Sequence, residues 1–473
     1  VRVSKGERTI VLHDFFNTPD GGGRVATILA KSFHAELLTG HLDKDSFPDG
    51  YFGDVQLRSL DAYRTSPRWL RFSKIFQLWW AFAHFPSTSA LWTVFSGSFS
   101  PLAHKKISGK KIFYCLTPPR LLYDQRGFMV QQVPGWQRPF LRGVMFLYRL
   151  AYERAVGRMD IIVTISETVK KRFRRFLRYD SLVIYPPCET ERFRWIDQGD
   201  YYLSTARVDP LKRVDLIVKA FKEMPDKRLV VVSGGADMPK IRKIAEGAPN
   251  IEVLGWIGEE HLCNLIGRCI ATIYIPMDED FGISPVESMA AGKPVIGVQE
   301  GGLLETVGEG RHQWSEVRGQ RTEDGGQRTE GGGQRSEGGG QRTEGRGRRA
   351  EDRGQRAEGR GQRAEDRGRR TASGPEGPTP RREDGGERGK DEGRRTKVEG
   401  GRGSERRGGM LVTECGVLMA KDPGVEDVIE AVKWMTPQRA FGMRRGCEER
   451  ARLFDTDVFV QKMGDLIAGA AAG

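Results

Sequence analysis

Two carboxylates eight residues apart across a Phe-Gly turn can offer acceptors to several hydroxyls of one ligand. Glu279 and Glu287 stand so in Glu279-Asp-Phe281-Gly282-Ile-Ser-Pro-Val-Glu287. A second group is cationic: Arg207-Val-Asp-Pro-Leu-Lys212-Arg213 follows an apolar run at 202–206. Cations just past the carboxyl end of a parallel strand lie where such sheets bind ligands. Arg207 and Lys212 can there neutralise a diphosphate leaving group without a metal. A third group is Pro19-Asp20-Gly21-Gly22-Gly23, between an apolar run at 9–16 and a helical pattern from Arg24. Glycines at a strand-to-helix turn let backbone N–H groups approach an anion. Each group has a plainer structural reading. Surface cations are commonly just solvated, a Gly-rich turn commonly holds no ligand, and Glu287, read as opening a helix, is good helix chemistry in itself. The whole string from 279 to 295, rather than either glutamate, carries the specificity.

These residues need a scaffold of strands and helices. Short, nearly continuous apolar runs at 9–16, 111–116, 161–165, 182–185, 202–206, 229–233, 251–254, 271–275 and 294–298 suit strands covered on both faces. Helical patterns at 214–221, 260–269 and 285–291 alternate with them. Such alternation predicts an α/β fold of parallel, doubly wound, Rossmann-like sheets. Pro186-Pro187 and the polar stretch to Asp200 read as a linker. The expected division is 1–190, a first Rossmann-like domain; 191–310, the first part of a second such domain; 311–409, a disordered low-complexity insert; and 410–473, the remainder of the second domain with closing helices.

The insert explains the composition. The chain has 473 residues, 60 glycines and a net charge of +13. Residues 311–409 alone hold 26 Gly, 26 Lys+Arg and 19 Asp+Glu, so they carry +7 of that charge (26 − 19) and too few apolar side chains to offset the entropy of ordering. Gly319, Gly326, Gly333, Gly340, Gly347, Gly354, Gly361 and Gly368 recur every seven residues, without the apolar positions of a coiled coil. An in-frame repeat expansion tolerated in a loop fits this pattern. The alternative is an arm that binds RNA or an anionic surface, against which stand its lack of aromatics and its nearly balanced charge. The basic balance is therefore poor evidence for a nucleic-acid partner.

Six dispersed cysteines, with no Cys-x-x-Cys pair, suit a reducing cytosol and neither a disulfide framework nor a zinc site. No secretory leader is expected, because Lys5 to Arg8 interrupt any hydrophobic region. The uncharged stretch 75–104 is broken by Pro86-Ser-Thr-Ser and reads as a buried helix, a loop and a strand rather than a membrane span. Arg68-Trp-Leu-Arg-Phe-Ser-Lys-Ile-Phe-Gln-Leu-Trp-Trp80 reads either as a helix packed on the sheet or as a basic, aromatic contact with an anionic membrane.

The string from Glu279 to Ile296 resembles the E-x7-E signature of retaining GT-B glycosyltransferases of family 4. The segment 202–221 resembles the same family's donor-phosphate segment. Val11-Leu-His13-Asp, Gly21–Gly23, Ser96-Gly-Ser-Phe, Tyr114-Cys-Leu-Thr117-Pro-Pro-Arg120 and Ile184-Tyr-Pro-Pro fall in the family's order. The likeness runs over about 9–306 and resumes at Met410, and is greatest to bacterial mannosyltransferases of polysaccharide and O-antigen synthesis. It implies two Rossmann-like domains facing a cleft. It also implies a metal-independent, retaining transfer of a hexose from a nucleotide-sugar donor, with mannose from GDP-mannose preferred and a UDP-hexose the alternative. The acceptor would be a glycan or lipid-linked glycan, the setting cytoplasmic or peripheral on the inner membrane face, and no cofactor beyond the donor is needed. In this likeness Arg207 and Lys212 hold the diphosphate, Gly21 and Gly22 line the cleft opposite, Glu287 accepts from ribose hydroxyls and Glu279 from sugar hydroxyls. Backbone N–H groups around Phe281 and Gly282 lie near sugar and phosphate, Gly234 and Gly235 border the nucleotide, and Thr117 and Arg120 sit on the acceptor side. The leaving phosphate itself would deprotonate the acceptor.

Three departures stand out. Leu116 occupies a position where relatives often carry a His that contacts the sugar, with His13 either a substitute or a structural strand-end residue. Arg24 stands where Ala-Glu is usual. The repeat enters just after Glu305-Thr-Val, where a charged arm would obstruct domain closure. The rival expectations are a sugar-nucleotide binder without transfer activity and a binder of RNA or anionic surfaces through the arm.

Overall fold

Alternating apolar strands and amphipathic helices wind into two sheets of the same design. The structure, a computed structural model, describes residues 8–63, 73–131, 133–308, 405–407 and 409–471. Nearly all of the heptad insert and residues 64–72 lie outside the described residues. In the first sheet run β1 (Thr9–His13), β2 (Glu36–Thr39), β3 (Leu57–Ser59), β4 (Thr88–Ser96), β5 (Ile107–Cys115), β6 (Ile161–Thr164) and β7 (Leu182–Val183). Their order is β3-β2-β1-β4-β5-β6-β7, with every described pairing parallel. Helices α1 (Gly21–Ser32), α2 (Ser73–Ala83), α3 (Arg126–Gln131), α4 (Arg138–Val156) and α5 (Glu167–Leu177) lie between these strands in the chain.

The second sheet holds β8 (Tyr201–Ser204), β9 (Arg228–Val232), β10 (Ile251–Gly255), β11 (Thr272–Ile273), β12 (Val295–Val298), β13 (Glu405–Arg407), β14 (Met410–Thr413) and β15 (Gly416–Met419). Its order, β10-β9-β8-β11-β12-β15-β14-β13, repeats the first and ends in an antiparallel hairpin edge. The helices here are α6 (Val214–Lys222), α7 (Met238–Ala245), α8 (Glu259–Arg268), α9 (Ile283–Ala290), α10 (Leu303–Thr306), α11 (Val425–Trp434), α12 (Pro437–Gly442), α13 (Arg444–Ala451) and α14 (Thr456–Ala471). Both sheets reverse direction of winding once, between β1 and β4 and between β8 and β11. Ligands of open α/β sheets bind outside the carboxyl ends of the strands at such points.

The two sheets belong to one compact unit, 1–311 with 402–473. Several local expectations need correction. Residues 410–473 do not all serve the second sheet: α14 returns to the first and sets Phe459 5.7 Å from Tyr114 of β5. The stretch 186–200 is no free linker, since Cys188 N–H donates to Phe454 O and Ile196 N–H to Gly267 O, at 2.9 Å each. Gly21–Gly23 form no loose turn; they are the first turn of α1, capped by Asp20, whose carboxylate accepts from Gly23 N–H at 2.7 Å. The stretch from 75 does give helix, loop and strand, but α2 is only half buried, hiding Leu78 and Phe82 while exposing Phe76 and Trp80.

Candidate functional site

The switch point of the second sheet gathers one cation, one carboxylate and one phenol. Lys212 ends a short 3-10 turn after β8, while Tyr274 and Glu279 follow β11. Lys212 Nζ lies 2.5 Å from Glu279 Oε2 and 2.9 Å from Tyr274 Oη, and the Tyr274 hydroxyl donates to the same Glu279 oxygen at 2.9 Å. Burial pushes the Tyr274 phenol well above its ordinary range, with Glu279 adding to it, so the hydroxyl stays a donor. Tyr274 carried no signal in the sequence, because a tyrosine ending a strand is ordinary core chemistry. Arg207, expected beside Lys212, is instead 62% exposed and turned to Asp209 at 3.6 Å.

Glu287 does not open a helix. It lies midway along α9, only 8% exposed, and α9 itself starts from Gly282, whose φ of +90° turns the chain out of the Phe281 loop. Its Oε1 accepts from Arg24 Nη1 of α1 at 3.1 Å. Burial raises the Glu287 carboxyl above its ordinary value, and Arg24 pulls it back. Arg24 also reaches Glu259 at 3.0 Å and Glu189 at 4.0 Å, so one guanidinium serves three carboxylates. The first turns of α1 and α9 are in contact: a Cβ on Gly21 would stand 2.9 Å from Ile283 Cδ1.

On the first sheet, His13 ends β1 with Nδ1 3.2 Å from Ser96 O. A Cβ on Gly22 would meet Leu116 Cδ1 at 2.9 Å and His13 Cε1 at 3.6 Å, so these three residues form one wall. Beside it Asp14 is fully buried and accepts from the N–H groups of Ser98, Phe99 and Ser100 at 2.5, 2.8 and 2.8 Å. It thereby shapes the loop after β4 at the first switch point. Burial still raises its carboxyl above the ordinary value, against the pull of His13 and those N–H groups.

Thr117 and Arg120 sit on a seam joining the two sheets' loops. Arg120 Nη2 binds Asp278 Oδ2 at 2.5 Å, and Arg172 of α5 binds Asp278 Oδ1 at 2.7 Å and also Asp280. Thr117 Oγ1 accepts from Arg172 at 3.3 Å, and Ser166 Oγ donates to Asp280 O at 2.6 Å. Burial lifts the Asp280 carboxyl to about 6, with Arg172 opposing. Glu305 caps α5 from the other side of the cleft, accepting from Glu167 N–H and Thr168 N–H at 2.7 Å each.

The remaining expected residues are more dispersed. Phe281 points into the core, its ring 5.6 Å from Tyr185 and 5.4 Å from Phe454, so only its backbone is available to a ligand. Gly234, just past β9, lies under the indole of Trp256: a Cβ there would be 2.1 Å from Trp256 Nε1. That indole is 70% exposed, an aromatic face which no sequence spacing announced.

Residues 189–323 match the family model described as glycosyl transferases group 1. The chain is 26% identical over 268 residues to the alpha-1,3/1,6-mannosyltransferase ALG2 of Saccharomyces cerevisiae, covering 44% of this chain and 50% of that one. It is 28% identical over 166 residues to an uncharacterized glycosyltransferase of Methanocaldococcus jannaschii, covering 34% and 46%. The chain thus spans about half the length of the curated relatives it matches. Among solved structures, sucrose-phosphate synthase of Thermosynechococcus elongatus superposes with a TM-score of 0.60 at 14% identity, over 98% of this chain and 99% of that one. WaaG, a glycosyltransferase involved in lipopolysaccharide biosynthesis, gives 0.55 at 12% identity, over 98% and 100%. The fold is therefore GT-B, and Lys212, Glu279 and Glu287 lie within the stretch that matches the glycosyl transferases of group 1.

Proposed function

We propose that the protein is a retaining glycosyltransferase that moves a hexose, preferentially mannose from GDP-mannose, to a glycan or lipid-linked acceptor in polysaccharide synthesis at a membrane face. The observation that carries this reading is the Lys212–Glu279–Tyr274 cluster at the switch point of the second sheet, with Glu287 on the helix that follows. The curated mannosyltransferase relatives favour mannose over other hexoses.

Lys212 balances charge building on the departing diphosphate, the kind of preorganised electrostatic help that dominates many enzymes. Arg207, exposed and weakly paired, is free to swing onto the same phosphates. Glu279 accepts from sugar hydroxyls, held by Tyr274, and the first-turn N–H groups of α9 face the phosphate side. Glu287 accepts from the ribose, and the Trp256 indole over Gly234 offers the base a stacking face. Gly21, Gly22 and the His13–Leu116 wall close the cleft opposite, with Thr117 and Arg120 toward the acceptor. No metal has a part in this scheme, and the leaving phosphate takes the acceptor proton.

Calorimetric titration of the full chain with GDP-mannose, UDP-glucose, UDP-galactose and UDP-N-acetylglucosamine tests the reading. Binding of GDP-mannose that Glu287→Ala abolishes is the expected result; no binding of any donor sinks it. The second reading, donor binding without transfer, draws on Leu116, an apolar side chain against Gly22 in the wall of the cleft. It predicts the same titration but no release of GDP with any acceptor.

A further inference from the structure

Helix α4 is apolar on both sides. Its inner face buries Leu141, Val144, Met145, Tyr148 and Tyr152. The opposite face, at helical spacing, leaves Phe146 57%, Leu147 55% and Leu150 37% exposed. Arginines flank this strip: Arg142 and Arg154 are exposed, and Arg149 is partly so. The helix's one acid, Glu153, is neutralised by Arg149 at 2.7 Å and accepts a hydrogen bond from the Tyr123 hydroxyl at 3.3 Å. Beside the strip opens a groove of about 300 Å³, walled by Leu122, Met145, Phe146 and Leu150 and lined also by Arg126 and Arg149. Positive charge continues across Tyr123, which stacks on Phe176 of α5 at 4.7 Å with the Arg175 guanidinium 5.6 Å from the Phe176 ring. Next to α4, in contact through Trp79 and Tyr148 at 6.1 Å, α2 exposes Phe76 and Trp80.

We propose that this face of α4 docks on an anionic phospholipid surface, with Phe146, Leu147 and Leu150 entering the headgroup region and Arg142, Arg149 and Arg154 pairing with lipid phosphates. An exposed apolar strip framed by cations is what such interfaces select. A second copy of the chain suits it poorly, because a two-fold contact through one helix face would set arginines against arginines. The inference deepens the reading of a lipid-linked acceptor and rests on it for its biological sense, although the docking itself requires no turnover.

The test is flotation of the full chain with phosphatidylcholine vesicles, with and without phosphatidylglycerol. Binding is expected only with phosphatidylglycerol, and to weaken with salt. The exposed-face variant Phe146→Ser/Leu147→Ser/Leu150→Ser should lose at least about tenfold in binding. Arg142→Ala and Arg154→Ala should each cost about fivefold. Leu453→Ser, an exposed residue elsewhere, should change nothing. The triple variant keeps the repeat segment, so binding carried by that segment would survive it, and wild-type binding by the triple variant overturns the proposal. So does equal binding to both vesicles, or a concentration-dependent dimer, seen by light scattering, that the triple variant abolishes. Donor titration of the triple variant is an independent reading: unchanged affinity shows an intact fold, while failure of wild type to bind any donor removes the transferase reading without altering the flotation result.

Discussion

Two clusters of charge cross the same cleft and are built in opposite ways. At one, Arg24 reaches over from α1 to Glu287, Glu259 and Glu189; Arg192 shares the last two, and Glu287 is left to Arg24. At the other, Arg120 and Arg172 face Asp278 and Asp280, Ser166 holds the Asp280 carbonyl, and Glu305 caps α5. In the second cluster Arg172, Asp278 and Glu305 each have two or more fixed partners within the protein, and the Asp280 carboxylate is held by Arg172. In the first, Glu287 depends on one long, flexible side chain, which donor hydroxyls can replace at little cost. On the proposed reading, the seam around Arg172 holds structure and Glu287 is the carboxylate that a donor would take from its arginine.

The comparison can be broken at several points. Arg172→Met takes from Asp280 its ion-pair partner while Asp278 keeps Arg120, and should cost about 1–3 kcal/mol in urea unfolding; a loss under about 0.5 kcal/mol would mean that this seam is solvated and as loose as the other. Glu305→Gln keeps the shape but gives α5 a neutral cap, with an expected loss of about 1–2 kcal/mol. Asp280 sets a pH window of unusual sign. Its carboxyl is lifted from 3.8 to about 6, so between those values the native state keeps a proton that the unfolded chain has released. Stability should therefore fall as pH rises through that window, by no more than about 3 kcal/mol, and level off above it. Asp280→Asn should flatten its share of that slope, and an unchanged slope would show that the carboxyl titrates normally. In the first cluster, Arg24→Ala frees Glu287, which on the proposed reading accepts from the ribose, and should tighten donor binding about threefold, roughly one ion pair's worth; weaker binding would make Arg24 a donor contact instead. Smallest of all, Arg207→Ala should leave unfolding within about 0.5 kcal/mol, since its pair is exposed, while donor affinity falls.

Much of the framework was legible because parallel strands buried on both faces are written as continuous apolar runs; β1, β5, β9 and β12 lie within or against the expected segments. β2 and β3 were not, since Glu36-Leu-Leu-Thr and Leu57-Arg-Ser hold too few apolar residues to stand out from loops. Glu279, Glu287 and Lys212 could be singled out because local spacing carries their chemistry. Arg172, Asp280 and Glu305 could not: the contacts that clamp α5 to the second sheet's loops span more than a hundred residues, and nothing in a charged helix such as α5 tells a clamped arginine from a solvated one. Arg24 was visible as an oddity among the glycines, yet its contact with Glu287 spans 263 residues and needed the fold.

The return of α14 to the first sheet has a consequence for biosynthesis. Tyr114 is among the earlier residues to leave the ribosome, and its aromatic neighbour Phe459 emerges only after the second sheet and the repeat segment. Until then the sheet around β5 presents an uncovered apolar patch, so the two halves mature together rather than one after the other. Truncation before α14 therefore exposes the first sheet, although the lost residues lie beyond the second.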